Sequence, residues 1–331
     1  MKNNLFVNKK VWKEFSDEEM IEYEDAIFNH YRLNGFPYFP TDHEYRNKEI
    51  EKLYKYDFTK CIDYKNKNIK QSMHGLSLCW SYHPHHYNVQ CNNFMTVMEA
   101  FNDDEIFRKV IKKRIRLGDN MSDNGIRKML KIFSGVQCVS NFRPTASASI
   151  YKVICPQGGT VYDMSSGYGG RCLGADLARV KYYGVEPCKK TYNGLIKMID
   201  EFKLDAEIKM EGSEIGGWLE ENSVDCCFTS PPYFDLEKYS NEPTQSYKKY
   251  KTKDSWINGF MRDTLIECKR VTKEGGIIAL NIQNVKKYEN LVQDVISLCE
   301  SIDLKLTDQW NLLLSNMAGK GYKTEPILFF K

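Results

Sequence analysis

Thr160-Val161-Tyr162-Asp163-Met164-Ser165-Ser166-Gly167-Tyr168-Gly169-Gly170 carries a run of strand length into a glycine-rich turn, and a helical segment follows over about 171–180. A carboxylate at a strand end, ahead of a glycine turn that opens a helix, is how doubly wound α/β folds bind nucleoside cofactors outside the carboxyl ends of their strands. The glycines let backbone approach a ligand closely. The next apolar run, 182–186, ends in Glu186, about twenty residues on, where an acid can accept hydrogen bonds from both ribose hydroxyls. Asp163, Ser165, Gly167, Gly169 and Glu186 are therefore candidate cofactor residues. The turn departs from the dinucleotide pattern, since it lacks the third glycine of GxGxxG and has Asp163 ahead of it. An upstream acid fits a ligand with an amino group and no pyrophosphate. A tight strand-to-helix turn without a ligand is the competing reading of the glycines alone.

Outward from this stretch, apolar runs at 206–210, 224–229, 277–282, 304–314 and 326–330 alternate with amphipathic segments of helix length. That rhythm, about seven strands with helices between, predicts an open α/β sheet. Gly275-Gly276 is expected to turn the chain into the fifth strand. Before about residue 150 charged and aromatic residues mix in helical patterns at 17–34, 94–117 and 126–133. Residues 1–140 are thus expected to form a largely helical N-terminal region and residues 141–331 the α/β domain.

The fourth run, Val224-Asp225-Cys226-Cys227-Phe228-Thr229, ends in Ser230-Pro231-Pro232-Tyr233-Phe234. Two prolines cannot continue a ladder, so they form a rigid loop at the carboxyl edge. Ser230 Oγ and the Pro231 carbonyl are placed to accept hydrogen bonds from one NH₂ group and to aim its lone pair at an electrophilic methyl. Tyr233, with Phe234 beside it, offers an aromatic face for a flipped-out base.

These segments together resemble the amino-methylating DNA methyltransferases, whose hallmark is (Asp/Asn/Ser)-Pro-Pro-(Tyr/Phe/Trp). The resemblance covers about residues 140–331. It implies a Rossmann-like methyltransferase sheet, S-adenosylmethionine as cofactor, DNA as partner, and Ser230, Pro231, Pro232 and Tyr233 as the catalytic loop. Asn141-Phe142-Arg143-Pro144-Thr145 looks like the element that contacts the methionine part of the cofactor, which implicates Pro144 and Thr145. Gly212-Ser213-Glu214 sits where the family places an adenine contact, which implicates Ser213, although Glu211-Gly212 stands where many members have Gly-Asp. The final Glu325-Pro326-Ile327-Leu328 resembles the last strand of phage and bacterial DNA methylases. The roles of Ser165 and Ser166 stay open, because the common Asp-Pro-Phe-x-Gly-x-Gly loop is Asp-Met-Ser-Ser-Gly-Tyr-Gly here. The implied reaction is direct displacement of the cofactor's methyl by the amino nitrogen. A serine ahead of Pro-Pro-Tyr resembles the cytosine-modifying members more than the adenine ones. Amino-methylation of an RNA base or a protein glutamine, and a catalytically silent DNA-binding module, are the alternatives.

The rest of the sequence narrows the chemistry. All six histidines lie before residue 87, so the α/β part works without imidazole. The chain has eleven cysteines, none at CxxC spacing, which favours reduced thiols. Cys188 reads as an ordinary helix-start residue, and Cys79, His83, His85, His86 and Cys91 match no common zinc spacing. No apolar run approaches the roughly 18 residues of a spanning helix, and Met1-Lys2-Asn3-Asn4 begins no apolar leader, so a cytoplasmic protein without metal is expected. The net charge of +3 names no partner. Phosphate contacts are therefore sought locally. Lys112, Lys113 and Arg116 stand in a basic run over 108–131, and Lys248 and Lys249 in an aromatic segment behind the catalytic loop.

Overall fold

A computed structural model describes residue 5, residues 9–316 and residues 321–331; the N-terminal stretch Met1–Asn4 lies outside them. The described chain forms two compact units. One comprises the described residues up to Phe39 together with Pro84–Val139, the other Pro40–His83 together with Ser140–Lys331.

The second unit holds a nine-stranded sheet. Its strands are β1 (Ile62–Asp63), β2 (Asn68–Ile69), β3 (Gly159–Asp163), β4 (Val180–Val185), β5 (Ala206–Lys209), β6 (Val224–Thr229), β7 (Thr272–Asn281), β8 (Leu306–Asn316) and β9 (Tyr322–Phe330). Their order is β1-β2-β8-β9-β7-β6-β3-β4-β5. Strands β3 to β7 pair in parallel, and β9 runs antiparallel to β7 and β8. All seven expected strands are present, and β1 and β2 are additions, with β2 joining β8 in parallel. From β3 the chain builds outward to β4 and β5, then returns to the other side through β6 and β7. The order therefore reverses between β3 and β6, and a doubly wound sheet opens its binding crevice at the carboxyl ends of such a pair.

Both faces of this sheet are buried, which is why its strands read as continuous apolar runs. Successive residues point to opposite faces. Val161 and Cys226 enter one core with Tyr151, Leu173 and Phe228, while Tyr162 and Cys227 enter the other with Trp256, Leu265 and Ile278. The adjacent cysteines thus serve separate cores. Gly275-Gly276 does not precede β7 but lies within it, where the pairing to β6 slips between Val224↔Thr272 and Cys226↔Ile277; Gly275 takes φ +78° there.

The first unit is helical, with Tyr23, Ile27, Tyr31, Phe107, Ile111, Ile126 and Leu130 in one core. Helix Asp17–Asn34 has the expected bounds and starts on a Ser16/Glu19 capping box. The single helix expected over 94–117 is two, Val97–Asn102 and Asp104–Arg116. Asp103 ends the first and caps the second, accepting from Ile106 N at 2.9 Å. The boundary near 140 marks where the chain enters the sheet unit for its second and longer stretch. Residues 40–83 already belong to that unit, because Ile50, Leu53, Ile69 and Leu78 share a core with the sheet. Among the described residues no helix is long and apolar enough to cross a membrane.

Candidate active site

Asp163 ends β3 with no solvent exposure, and four protein donors occupy its carboxylate. Oδ2 accepts from Arg171 Nε at 2.7 Å and from Tyr182 OH at 2.5 Å; Oδ1 accepts from Thr229 Oγ1 at 2.8 Å and from Ser165 N at 3.1 Å. This acid, expected to meet an amino group of a ligand, meets the protein's own donors. Asp163 instead fastens the glycine loop to β4, to β6 and to helix Gly170–Ala178. Ser165 is tied through its backbone, its N–H donating to Asp163 and its carbonyl accepting from Arg171 Nη2.

Glu186, just past β4, is a different acid. It is 7% exposed, and among the described residues its oxygens receive two backbone amides, Gly167 N at 3.1 Å and Cys188 N at 2.8 Å. Burial pushes its carboxyl up to about 8, against the opposing pull of those two N–H groups. Each oxygen keeps a lone pair for a further donor, so the residue suits a vicinal pair of hydroxyls. Gly167 and Gly169 take φ +59° and +84°, and a Cβ on Gly169 would lie 2.7 Å from Met198 Cε. The positive φ is what calls for glycine at Gly169, since the Met198 side chain could shift. The hydrogen-bonding capacity left at Glu186 and the close backbone of this loop fit a nucleoside cofactor.

The Ser-Pro-Pro-Tyr loop leaves β6 directly after Thr229, the residue bonded to Asp163. Pro231 is buried, while Ser230, Pro232 and Tyr233 are half-buried. Burial pushes the Tyr233 phenol up, the nearby Glu325 and Glu237 add to the rise, and Ser230 opposes it. Burial also raises both of those carboxyls, and Glu325 accepts from Gln283 Nε2 at 2.5 Å. Phe234 follows with φ +59°, a conformation bulky residues rarely adopt. Its ring meets Trp256 edge-on at 6.2 Å and packs on the core. The turn thus parts two neighbouring aromatics, and Phe234 faces the interior rather than serving as an open platform for a base.

Three further cofactor candidates are occupied by the protein itself. Thr145 Oγ1, fully buried, accepts from Ser72 N at 3.0 Å and from Ser72 Oγ at 3.3 Å. Pro144 starts helix Pro144–Ile154 and packs over Gly75. Ser213 Oγ bonds Thr264 Oγ1 at 2.8 Å. Packing between distant elements took up these hydroxyls, which local sequence does not show.

The basic run is not one continuous face. Arg114 is buried against the Asn120 carbonyl and Asp119, and Arg127 donates to the Pro37 carbonyl at 2.7 Å. Lys112 pairs with Glu24 at 3.6 Å, and Lys113 lies over the Phe133 ring. Arg116 is exposed. Behind the Ser-Pro-Pro-Tyr loop Lys248 is exposed beside Tyr247, while Lys249 pairs with Glu214. Cys188 is the N-cap of helix Lys189–Phe202, and the His83 ring lies between the Cys79 and Thr191 carbonyls.

Sequence reasoning missed Arg171, Tyr182 and Thr229, which hold Asp163. A weak signal existed for Arg171, a lone cation immediately after Gly169-Gly170 and two turns from the acid. It also missed Tyr168, whose ring lies between Trp80 (5.1 Å) and Tyr239 (6.2 Å) beside the glycine loop.

Residues 224–330, from β6 through β9, match a family model described as DNA methylase. The match supports the amino-methylating DNA methyltransferase family, and with it a methyltransferase that uses S-adenosylmethionine. No curated protein matches the chain. Solved structures with a similar fold include a SAM-dependent O-methyltransferase from Thermotoga maritima, at 15% identity over 58% of this chain and 67% of that one, TM-score 0.40. Another is the 1,6-didemethyltoxoflavin-N1-methyltransferase of Burkholderia thailandensis with bound 1,6-didemethyltoxoflavin and S-adenosylhomocysteine, at 7% identity, 56% and 75% coverage, TM-score 0.40. A third is a SAM-dependent methyltransferase from Aquifex aeolicus, at 15% identity, 57% and 98% coverage, TM-score 0.36. Likeness at this level carries no argument about substrate.

Proposed function

We propose that the chain transfers a methyl group from S-adenosylmethionine to the exocyclic amino nitrogen of a base in DNA, cytosine in preference to adenine. The observation that carries this reading is the 2.8 Å bond from Thr229 to Asp163. It joins the catalytic loop to the glycine loop, so the acceptors at Ser230 and Pro231 begin one residue from the cofactor cradle. When bound, the cofactor supplies an electrophilic methyl group. Ser230 Oγ and the Pro231 carbonyl accept from the two amino hydrogens and turn the nitrogen lone pair out of the ring plane. Tyr233, half-buried behind the two prolines, offers a face to the extruded base. Rate then comes from positioning of the amino nitrogen. The preference for cytosine rests on the serine ahead of Pro-Pro-Tyr, which resembles the cytosine-modifying members; its hydroxyl can donate to the ring nitrogen beside the amino group in either base. Lys112, Lys113, Arg116 and Lys248 are the proposed phosphate contacts. The pair of exposed Lys112 with half-buried Glu24 is long, at 3.6 Å, and leaves the ammonium open to solvent.

Tritiated S-adenosylmethionine offered with DNA, RNA and protein tests the polymer. Mass spectrometry of the digested nucleosides then tests the base. Label in DNA as N4-methylcytosine is expected, and turnover should drop in Ser230→Ala while S-adenosylhomocysteine affinity holds. Methyladenine alone would remove the serine argument, and label confined to RNA or protein would remove DNA.

A further inference from the structure

β5 is the last strand of the nine, so among the described residues no strand pairs with its outer edge. The Asp205 and Lys209 carbonyls accept from Tyr182 N and Glu186 N, each at 3.0 Å. Backbone direction alternates along a strand, so residues 205, 207 and 209 face β4 while Ala206 and Ile208 face outward. The Ala206 amide folds back to the Leu204 carbonyl at 2.9 Å, and the N–H and carbonyl of Ile208 stand at the outer edge. An open groove follows this edge. Ile196 and Ile199 line it from the core on one face of the sheet, and Trp218, packed edge-on against Tyr183, lines it from the other. Just beyond the strand Met210 and Ile215 are 49% and 59% exposed.

Proteins commonly blunt an open edge with charge. β5 carries two charges, but of opposite sign at alternate positions, and that pattern fits a copy of itself. Placed antiparallel about Ile208, Glu207 of one copy meets Lys209 of the other, and Lys209 meets Glu207. The backbone parity agrees. Ile208 would take the hydrogen-bonded position and exchange two bonds with its counterpart. Glu207 and Lys209 would take the non-hydrogen-bonded positions, where facing Cα atoms come closest, about 4.5 Å apart. Glu207 pairs with Lys181 at 2.9 Å and Lys209 with Glu211 at 2.8 Å, yet their side chains stay 57% and 39% exposed. We propose that two copies of the chain associate through β5 about a two-fold axis at Ile208, joining their sheets edge to edge. One patch then serves both sides, as a two-fold interface requires. The apolar groove and the exposed Met210 and Ile215 border the junction. The proposal stands apart from the methyl-transfer reading.

Sedimentation equilibrium of the full chain at micromolar concentrations tests it, and a dimer is expected. Glu207→Lys and Lys209→Glu should each raise the dimer dissociation constant about tenfold or more, because either turns two symmetry-related attractions into repulsions. Both variants should keep the wild-type circular dichroism. The double variant Glu207→Lys/Lys209→Glu should dimerise again, and an equimolar mixture of the two single variants should form a heterodimer. Misfolded chains would give neither rescue. A monomeric wild type would overturn the proposal, and so would a dimer indifferent to both reversals. Single variants that neither the second substitution nor mixing restores would overturn it as well.

Discussion

Asp163 closes β3 and Glu186 follows β4, and these two buried carboxyls differ in what the fold leaves them to do. Asp163 receives a guanidinium, a phenol, a threonine hydroxyl and an amide. Glu186 receives two amides and is pushed up to about 8 by burial. Both accept a backbone amide of the glycine loop, and both read from the sequence as cofactor ligands. The difference lies in unoccupied hydrogen-bonding capacity rather than in acidity or burial, and on the proposed function that capacity marks Glu186 as the acid left open to a ligand. The same criterion sorts the cations of the first unit, where Arg114 and Arg127 are taken up internally and Arg116 faces solvent.

The largest expected effect breaks the structural side of this comparison. Asp163→Asn leaves Arg171 buried without its counter-charge and should lower the unfolding free energy by about 3–5 kcal/mol, measured by urea denaturation. A variant of wild-type stability that fails to bind S-adenosylhomocysteine would reverse the two roles.

Glu186→Ala should do the opposite. Cofactor binding should weaken by about 1.5–3 kcal/mol in a calorimeter, the range for a hydrogen bond to a charged group, with unfolding free energy held or raised. A collapse of stability without a change in affinity would place Glu186 beside Asp163.

The pH dependence sharpens the contrast. The folded Glu186 carboxyl holds its proton more tightly than the unfolded one, whose value is 4.5. Its contribution to the stability of the unliganded protein is therefore complete below about 4.5 and lost as pH rises through about 8. Cofactor affinity should move the other way, since an ionised acceptor serves hydroxyl donors best, and should gain at most about tenfold per pH unit below 8. Glu186→Gln should flatten both trends; thermal melts and titrations across pH 5–9 would expose a wild type that is already flat.

The smallest effect concerns the cations. Charge reversal at Lys112, Lys113 and Arg116 should weaken DNA binding alike for all sequences. The slope of log affinity against log salt should fall by about one for each phosphate partner removed. An unaltered slope would assign the run to a solvated face.

The amino-acid sequence by itself determined the sheet, the order of its strands along the chain, the glycine turn and the rigid Ser-Pro-Pro-Tyr loop. These features are local. Apolar runs, positive-φ glycines at Gly167 and Gly169, and two consecutive prolines act through neighbours a few residues away. Only the tertiary structure decided which polar groups remain open. Asp163 is saturated by partners 2, 8, 19 and 66 residues away, Ser213 by one 51 away and Thr145 by one 73 away. It likewise decided that residues 40–83 pack with the sheet and that Phe234 turns inward onto Trp256. The physical reason is that a hydrogen-bonding group filled from across the fold is no longer available to a ligand, and no local pattern records which groups are filled.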